Sequence, residues 1–79
     1  MSAMADPKRR LTIQEKIGIA VRKARGLDKN QEDVADKAGI TRTYLSAIEN
    51  GKVDVSVFVL YLIAEAMNTT LSEMLKGVG

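Results

Sequence analysis

A segment of 21 residues, from Gln31 to Gly51, constrains the fold of this chain more than any other part of the sequence. Val34 and Ala38 are four positions apart, which is the spacing of one face of a helix. Leu45 and Ile48, three positions apart, continue the pattern after a glycine that can end the first helix. Two short helices joined by so tight a turn cannot lie side by side, so they are predicted to cross steeply.

Composition lowers the expectation of catalytic or metal chemistry. The chain of 79 residues contains no cysteine and no histidine, which removes thiolate ligands, the commonest general base and the commonest metal ligand. A chain of this length forms one domain with a thin core, which association with a partner would help to stabilise. The formal net charge of +2 does not by itself indicate a nucleic-acid partner. We therefore predict a protein that is not an enzyme and has no cofactor, metal or small-molecule ligand.

Capping signals predict an all-α fold. Thr12 and Glu15 have the spacing of a capping box, which opens a first helix that runs to about residue 25. Side-chain oxygens just before four further helices can accept from a free N–H of the first turn. The predicted caps are Asn30, Thr41, Ser56 and Thr70, and the predicted helices are 31–38, 42–49, 57–67 and 71–76.

One residue within the first helix and one just after it are expected to pack against other parts of the fold. Gly18 costs about 1 kcal/mol relative to alanine inside a helix, so a close packing contact is expected at this position. Leu27 follows a glycine that ends the helix and is expected to turn back into the core.

The second to fifth predicted helices also carry a characteristic series of residues: Gln31, Ala35, Gly39, Ile40, Leu45, Ile48, Glu49, Gly51, Ser56, Leu60, Ile63, Ala64 and the run 71–75. With this series the chain resembles the phage-repressor or Xre-type helix-turn-helix family. The resemblance implies a five-helix, lambda-repressor-like domain in which helices two and three form the helix-turn-helix. It also implies a transcriptional regulator that binds operator DNA as a dimer. The chain departs from the family in having three residues between Leu27 and Gln31 and in having Val55 where proline is common.

The third helix is expected to supply the base contacts. The major groove of B-DNA is about 12 Å wide and admits one α-helix, so the outward face of this helix can meet base edges. Arg42 and Thr43 lie where the family's base-reading residues lie, and arginine can bond guanine in a bidentate manner. Ala47 suits a thymine methyl group, whereas Tyr44 is expected to reach a phosphate or sugar. The complete set of predicted DNA-binding residues is Gln31, Thr41, Arg42, Thr43, Tyr44, Ser46, Ala47, Asn50 and Lys52.

Besides Tyr44, three of these residues are expected to bind the DNA backbone. Gln31 lies in the first turn of helix two, where free N–H groups suit a phosphate and the side-chain amide can donate to the same oxygen. Asn50 and Lys52 follow the recognition helix and can contact the backbone on its other side. The alternative for Asn50 is that it only ends its helix. The alternative for the outward residues of the third helix is that they simply face solvent.

A carboxylate beside a DNA-facing helix would repel phosphates, so Glu49 requires a separate explanation. The resemblance implies that Glu49 turns inward and pairs with Arg22 of the first helix. A solvated Glu49 is the alternative.

The fourth helix predicts a homodimer. Val57, Leu60, Ala64 and Met67 are expected to form a core stripe. Phe58, Tyr61 and Leu62 recur on a neighbouring face, and one helix of a small domain cannot bury both faces internally. These three residues are therefore predicted to pack against a twofold mate, joined by the C-terminal residues Leu75 and Val78. Such a dimer would place two recognition helices about 34 Å apart on an inverted repeat. The alternative is a wider seam of the core.

The remaining expectations concern organisation and location. Residues 1–11 are predicted to be a flexible basic arm that is solvated or touches DNA, and residues 12–79 are predicted to be the domain. No apolar run reaches the roughly 18 residues of a membrane span, so a cytoplasmic location is expected. Operator occupancy is expected to follow protein concentration, as for a compact phage repressor or a restriction-modification controller. An antitoxin or adaptor with a helix-turn-helix fold is the alternative function.

Overall fold

A computed structural model describes residues 7–78, and this part of the chain contains five helices and no strand. The helices are α1 Pro7–Arg25, α2 Gln31–Ala38, α3 Arg42–Glu49, α4 Val57–Ala66 and α5 Leu71–Met74. This architecture confirms the predicted all-α fold. No helix within residues 7–78 is both long and apolar enough to cross a membrane.

The first helix begins at Pro7, five residues before the predicted cap Thr12. Proline suits the first position of a helix because its fixed φ is already helical and its missing N–H would be unpaired there. Thr12 is not a cap, since its Oγ1 lies inside α1 and donates to the carbonyl of Lys8 at 2.9 Å. Residues 7–11 of the predicted arm are helical, and residues 1–6 lie outside the described part of the chain.

The four other predicted caps are confirmed. In each case the side-chain oxygen of the cap accepts from the backbone N–H three residues further on, which satisfies one of the free donors of the first turn. The bonds measure 2.8 Å at Asn30, 3.0 Å at Thr41, 3.1 Å at Ser56 and 3.1 Å at Thr70. Gly39 ends α2 with a φ of 77°, a conformation that glycine adopts without strain.

One apolar core joins the helices. Its largest fully buried side chains are Leu45 and Ile48 of α3, Ile63 of α4 and Val21 of α1. The smaller or partly exposed members include the alanines of α2, which allow α3 to approach closely. The inner side of α3 is thus covered by the other helices, and its outer side remains free.

Two apolar residues that were predicted to lie in the core are exposed to solvent in the structure. Leu27 is fully exposed, because the residues between α1 and α2 form a loop held by a hydrogen bond from Arg25 Nη1 to the carbonyl of Lys29 at 2.8 Å. An apolar anchor is not required for a loop fastened in this way. Val57 is also exposed, since it lies in the first turn of α4 beside its cap, beyond the part of the helix that packs on α2.

The contact between α1 and the end of α3 is unusually close. A Cβ atom added at Gly18 would lie 2.5 Å from the carbonyl oxygen of Ile48 and 2.7 Å from that of Glu49. Gly51, with a φ of 68°, has Glu15 Cα at 2.9 Å from the corresponding position. The close packing expected at Gly18 is therefore confirmed, and glycine allows two backbones to meet there.

Candidate nucleic-acid interface

The outward face of α3 consists of residues that the core does not need. Arg42 and Thr43 are exposed in its first turn, and Ser46 and Ala47 are half-buried one turn later. Asn50, at the end of the helix, is exposed on the same side. Positions i, i+4 and i+8 of a helix share a face, so these side chains form one continuous surface, which we call the α3 face.

The α3 face carries positive charge at the start of the helix. The guanidinium of Arg42 makes no ion pair with any residue between 7 and 78, so it remains available to an external anion. Thr41 is exposed, and its hydroxyl oxygen is engaged as the cap by Tyr44 N. The backbone N–H groups of the first turn have no carbonyl partner within the helix, so they need a cap and they also attract anions.

The side chain of Glu49 is completely buried at the end of α3, where this helix meets α1. Arg25 donates to both carboxylate oxygens, from Nε to Oε2 at 2.7 Å and from Nη2 to Oε1 at 2.8 Å. Gln31 Nε2 donates to Oε1 at 3.0 Å. The charge of Glu49 is thus neutralised inside the protein, and it does not oppose the approach of phosphates to the α3 face.

Arg22, the partner predicted for Glu49, lies farther away. Its Nε is 3.7 Å from Glu49 Oε1, and its side chain is 56% exposed, compared with 16% for Arg25. Arg22 instead donates from Nη2 to Asn50 Oδ1 at 3.0 Å. The principal partner of Glu49 is therefore Arg25, with Arg22 as a secondary charge.

The surroundings of Glu49 and Arg25 stabilise both charged forms. Burial alone would raise the pKa of the Glu49 carboxyl, but hydrogen bonds from Arg25 and Gln31 and the positive charges of Arg25 and Arg22 lower this pKa below its ordinary value. The hydrogen bond with Glu49 raises the pKa of Arg25, despite the opposing effect of burial. The carboxylate therefore remains ionised at neutral pH.

Two predicted backbone-binding residues already have partners within the chain. One N–H of the Gln31 amide is used by Glu49, which leaves its second N–H and the free backbone N–H groups of the α2 terminus for a phosphate. Asn50 Nδ2 donates to the carbonyl of Ser46 at 2.8 Å, while its Oδ1 accepts from Arg22. Asn50 thus ends α3, as in the alternative interpretation, and also holds Arg22 beside it.

Two further predicted DNA-binding residues differ in their surroundings. Lys52 is exposed in the loop after α3, and its N–H donates to the carbonyl of Ala47 at 3.0 Å. Tyr44 is half-buried because it packs against the apolar core. Its ring is therefore largely structural.

The fourth helix presents an apolar surface that no part of residues 7–78 covers. Phe58 is 70% exposed, Val57 68% and Tyr61 51%, and we call these three residues the α4 patch. Leu62 and Leu75, which were predicted to join the same interface, are half-buried against the core at its edge. An exposed apolar surface of this kind on a small domain is typical of a site of association.

Sequence reasoning missed Arg25, which it treated only as a source of long-range attraction. A signal was present, because Gly18, Arg22 and Arg25 follow one another at i, i+4 and i+7. The close approach permitted by Gly18 marks this stripe as the side of α1 that faces α3. Arg25 continues the stripe to the end of the helix, where Glu49 lies.

Comparison with known proteins gives consistent matches. The helix-turn-helix family matches residues 19–74. Control protein C.SmaI of Serratia marcescens is 30% identical over 70 residues, which cover 87% of this chain and 83% of that protein. Control protein C.MunI of a Mycoplasma species is 41% identical over 51 residues, which cover 65% of this chain and 69% of that protein.

A solved structure has the same fold. The restriction-modification controller protein C.AhdI of Aeromonas hydrophila superposes with a TM-score of 0.73 at 27% sequence identity. The superposition covers 77% of this chain and 94% of C.AhdI.

Proposed function

The chain belongs to the helix-turn-helix family of the Xre type and is a DNA-binding transcriptional regulator, and on this premise we propose that it acts as a homodimer on an inverted-repeat operator. The observation that carries the proposal is the α3 face. It is polar, it carries a guanidinium that makes no ion pair with residues 7–78, and the one carboxylate of α3 is buried and neutralised by Arg25.

Within this proposal the residues of the α3 face read the bases. Arg42 bonds guanine through two N–H groups, a contact worth about 1 to 3 kcal/mol of discrimination against other bases. Thr43 lies beside it in the first turn. Ala47 contacts a thymine methyl group and Ser46 a neighbouring base edge.

The residues around the α3 face bind the DNA backbone. The start of α2 and the second amide N–H of Gln31 bond one phosphate, and the N–H groups beside Thr41 suit another. Lys52 and Asn50 contact the backbone beyond the end of α3, and the Tyr44 hydroxyl contacts a phosphate or sugar from its half-buried position. These contacts fix the register of α3 in the groove but carry no sequence information.

The homodimer buries the α4 patch against the same patch of a second copy. A twofold axis brings identical surfaces together, so Phe58, Val57 and Tyr61 of each copy would leave water, with Leu62 and Leu75 at the edge. The two α3 helices would then lie about 34 Å apart, one turn of B-DNA, which gives the operator its inverted symmetry.

The relatives suggest what kind of regulator this protein is. C.SmaI and C.MunI are control proteins, and C.AhdI is a restriction-modification controller. We propose the same role for this chain, with operator occupancy set by protein concentration through the monomer–dimer equilibrium.

The experiment that tests this function is selection of bound sequences from a pool of random duplexes. We expect an enriched inverted repeat whose half-site centres lie about 10 base pairs apart. A single enriched half-site without symmetry would reject the dimeric reading, and the absence of any enrichment would reject sequence-specific regulation in favour of an antitoxin or adaptor.

A further inference from the structure

A second surface, on the side of α1 that faces away from α3, has no role in the function proposed above. It is a groove of about 240 Å³ between α1 and the C-terminal residues. The groove is lined by Lys16, Ile19, Ala20, Lys23, Lys76, Gly77 and Val78. We call it the lysine groove.

The geometry of α1 separates this groove from the α3 face. Gly18, Arg22 and Arg25 form the stripe that contacts α3. In the groove, Lys16 lies two positions before Gly18, and Lys23 lies two positions before Arg25. Two positions correspond to about 200° around a helix of 3.6 residues per turn. The two lysines therefore lie on nearly the opposite side of α1 from α3, and Ile19, which also lines a pocket with Arg22 and Asn50, lies between the two sides.

The lysine groove combines an apolar floor with a positive rim. Ile19 is 57% exposed, and Ala20 and Val78 are half-buried beside it. No carboxylate of residues 7–78 lines the groove, and none of its three lysines makes an ion pair within this part of the chain. The volume is smaller than the roughly 300 to 1,000 Å³ of a pocket for a drug-sized ligand, so it suits one or two side chains of a larger partner.

We propose that the lysine groove binds an acidic segment of another protein. The segment places an apolar side chain against Ile19 and its carboxylates against the three lysines. Charge complementarity favours an anionic partner, and the apolar floor favours a peptide, because a phosphate backbone offers no apolar group to cover Ile19. The apolar contact supplies affinity, and the lysines supply orientation and rapid association.

The test is an NMR titration of the ¹⁵N-labelled full chain with a synthetic peptide in which two leucines are flanked on both sides by glutamates. We expect amide shifts at Ile19, Ala20 and Val78, and affinity that falls as salt is raised. A peptide with glutamine in place of glutamate, and another with serine in place of leucine, should each bind at least tenfold more weakly.

Protein variants locate the binding. The double variant K16Q/K23Q should bind the acidic peptide at least tenfold more weakly, whereas the control K37Q/K52Q, which removes the same charge from outside the groove, should bind within about twofold of the wild type. I19A should also weaken binding, and since Ile19 is more than half exposed it should leave the spectrum of the fold intact.

The outcomes separate this proposal from the proposed regulatory function. Equal binding by K16Q/K23Q and the wild type, shifts confined to other helices, or no binding at all would each reject the acidic partner. A titration with duplex DNA should shift amides of α2 and α3 and leave the groove unchanged. Shifts at Ile19 and Val78 with duplex would instead assign the groove to nucleic acid and overturn the proposal.

Discussion

Glu49 connects the chemistry of single residues to the orientation of the recognition helix. A buried carboxylate is costly unless its oxygens are bonded, and here Arg25 and Gln31 donate three hydrogen bonds to it. Arg25 also bonds the carbonyl of Lys29, so one guanidinium fastens both α3 and the loop before α2 to the end of α1. The orientation of the α3 face therefore depends on a small number of charged groups.

The two arginines near Glu49 should differ in energetic importance. Arg25→Ala leaves a buried carboxylate without its main partner and should cost about 3 kcal/mol of unfolding free energy. Arg22→Ala removes a mostly solvated group at 3.7 Å and should cost less than about 1 kcal/mol. Urea unfolding of double-mutant cycles with Glu49→Ala measures both couplings. A coupling of Arg22 as large as that of Arg25 would contradict the assignment.

The lowered pKa of Glu49 predicts a dependence of stability on pH. A carboxyl whose pKa is lower in the folded than in the unfolded state binds fewer protons when folded, so its stabilisation is present above the unfolded pKa, about 4.3, and is lost as pH falls through the folded pKa. Glu49→Gln should therefore be less stable than the wild type at pH 7, and the difference should shrink below about pH 4. A difference independent of pH, measured by urea unfolding at several pH values, would exclude this linkage.

At the scale of elements, the contact of α1 with the end of α3 sets the position of the recognition helix. The substitution Gly18→Ala tests this contact. Alanine is the better helix former by about 1 kcal/mol, so the substitution would stabilise a helix at a position that has no close neighbour. Here the added Cβ meets backbone oxygens that cannot rotate away, so we expect a loss of at least about 1 kcal/mol in thermal or urea unfolding. A stabilised variant would show that the two backbones are not held this closely.

The sequence predicted elements well where the signal is local. A cap such as Thr41 or Ser56 acts on the helix that follows it, and four caps were predicted correctly. The start of α1 was not predicted correctly. Pro7 suits the first turn of a helix, and this preference outweighs the capping-box spacing at Thr12. Leu27 was misplaced because its exposure depends on the bond between Arg25 and Lys29, a contact that spacing along the sequence does not reveal.

At the scale of the whole molecule, the α4 patch should determine the state of association. Phe58→Glu places a charge at the centre of the proposed interface and should give a monomer with roughly 100-fold weaker operator binding, since two linked half-site contacts are lost. Lys37→Gln, which makes the same change in net charge on α2, should remain dimeric. Light scattering after size-exclusion chromatography measures both, and a dimeric Phe58→Glu variant would refute the interface.

The candidate site could be predicted in outline because the outward positions of α3 follow from the inward ones. Once Leu45 and Ile48 are assigned to the core, helical geometry turns Arg42, Thr43 and Ser46 outward. The stripe of Gly18, Arg22 and Arg25 marks the side of α1 that faces α3, but the partners of Gln31 and Asn50 could not be predicted, because their bonds join helices that are separated along the sequence. These contacts depend on the crossing of α1 and α3, which only the structure defines.

The most direct test of the α3 face is the affinity for the selected operator and for single-base variants of it, measured by fluorescence anisotropy at several salt concentrations. The variant Arg42→Ala should lose about 1 to 3 kcal/mol of binding free energy and should show a weaker preference at one base of each half-site. Lys52→Ala should instead weaken binding to every duplex about equally and reduce the log-log salt slope by about one. Unchanged preference at every base in the combined Arg42→Ala and Thr43→Ala variant would show that α3 does not read the DNA.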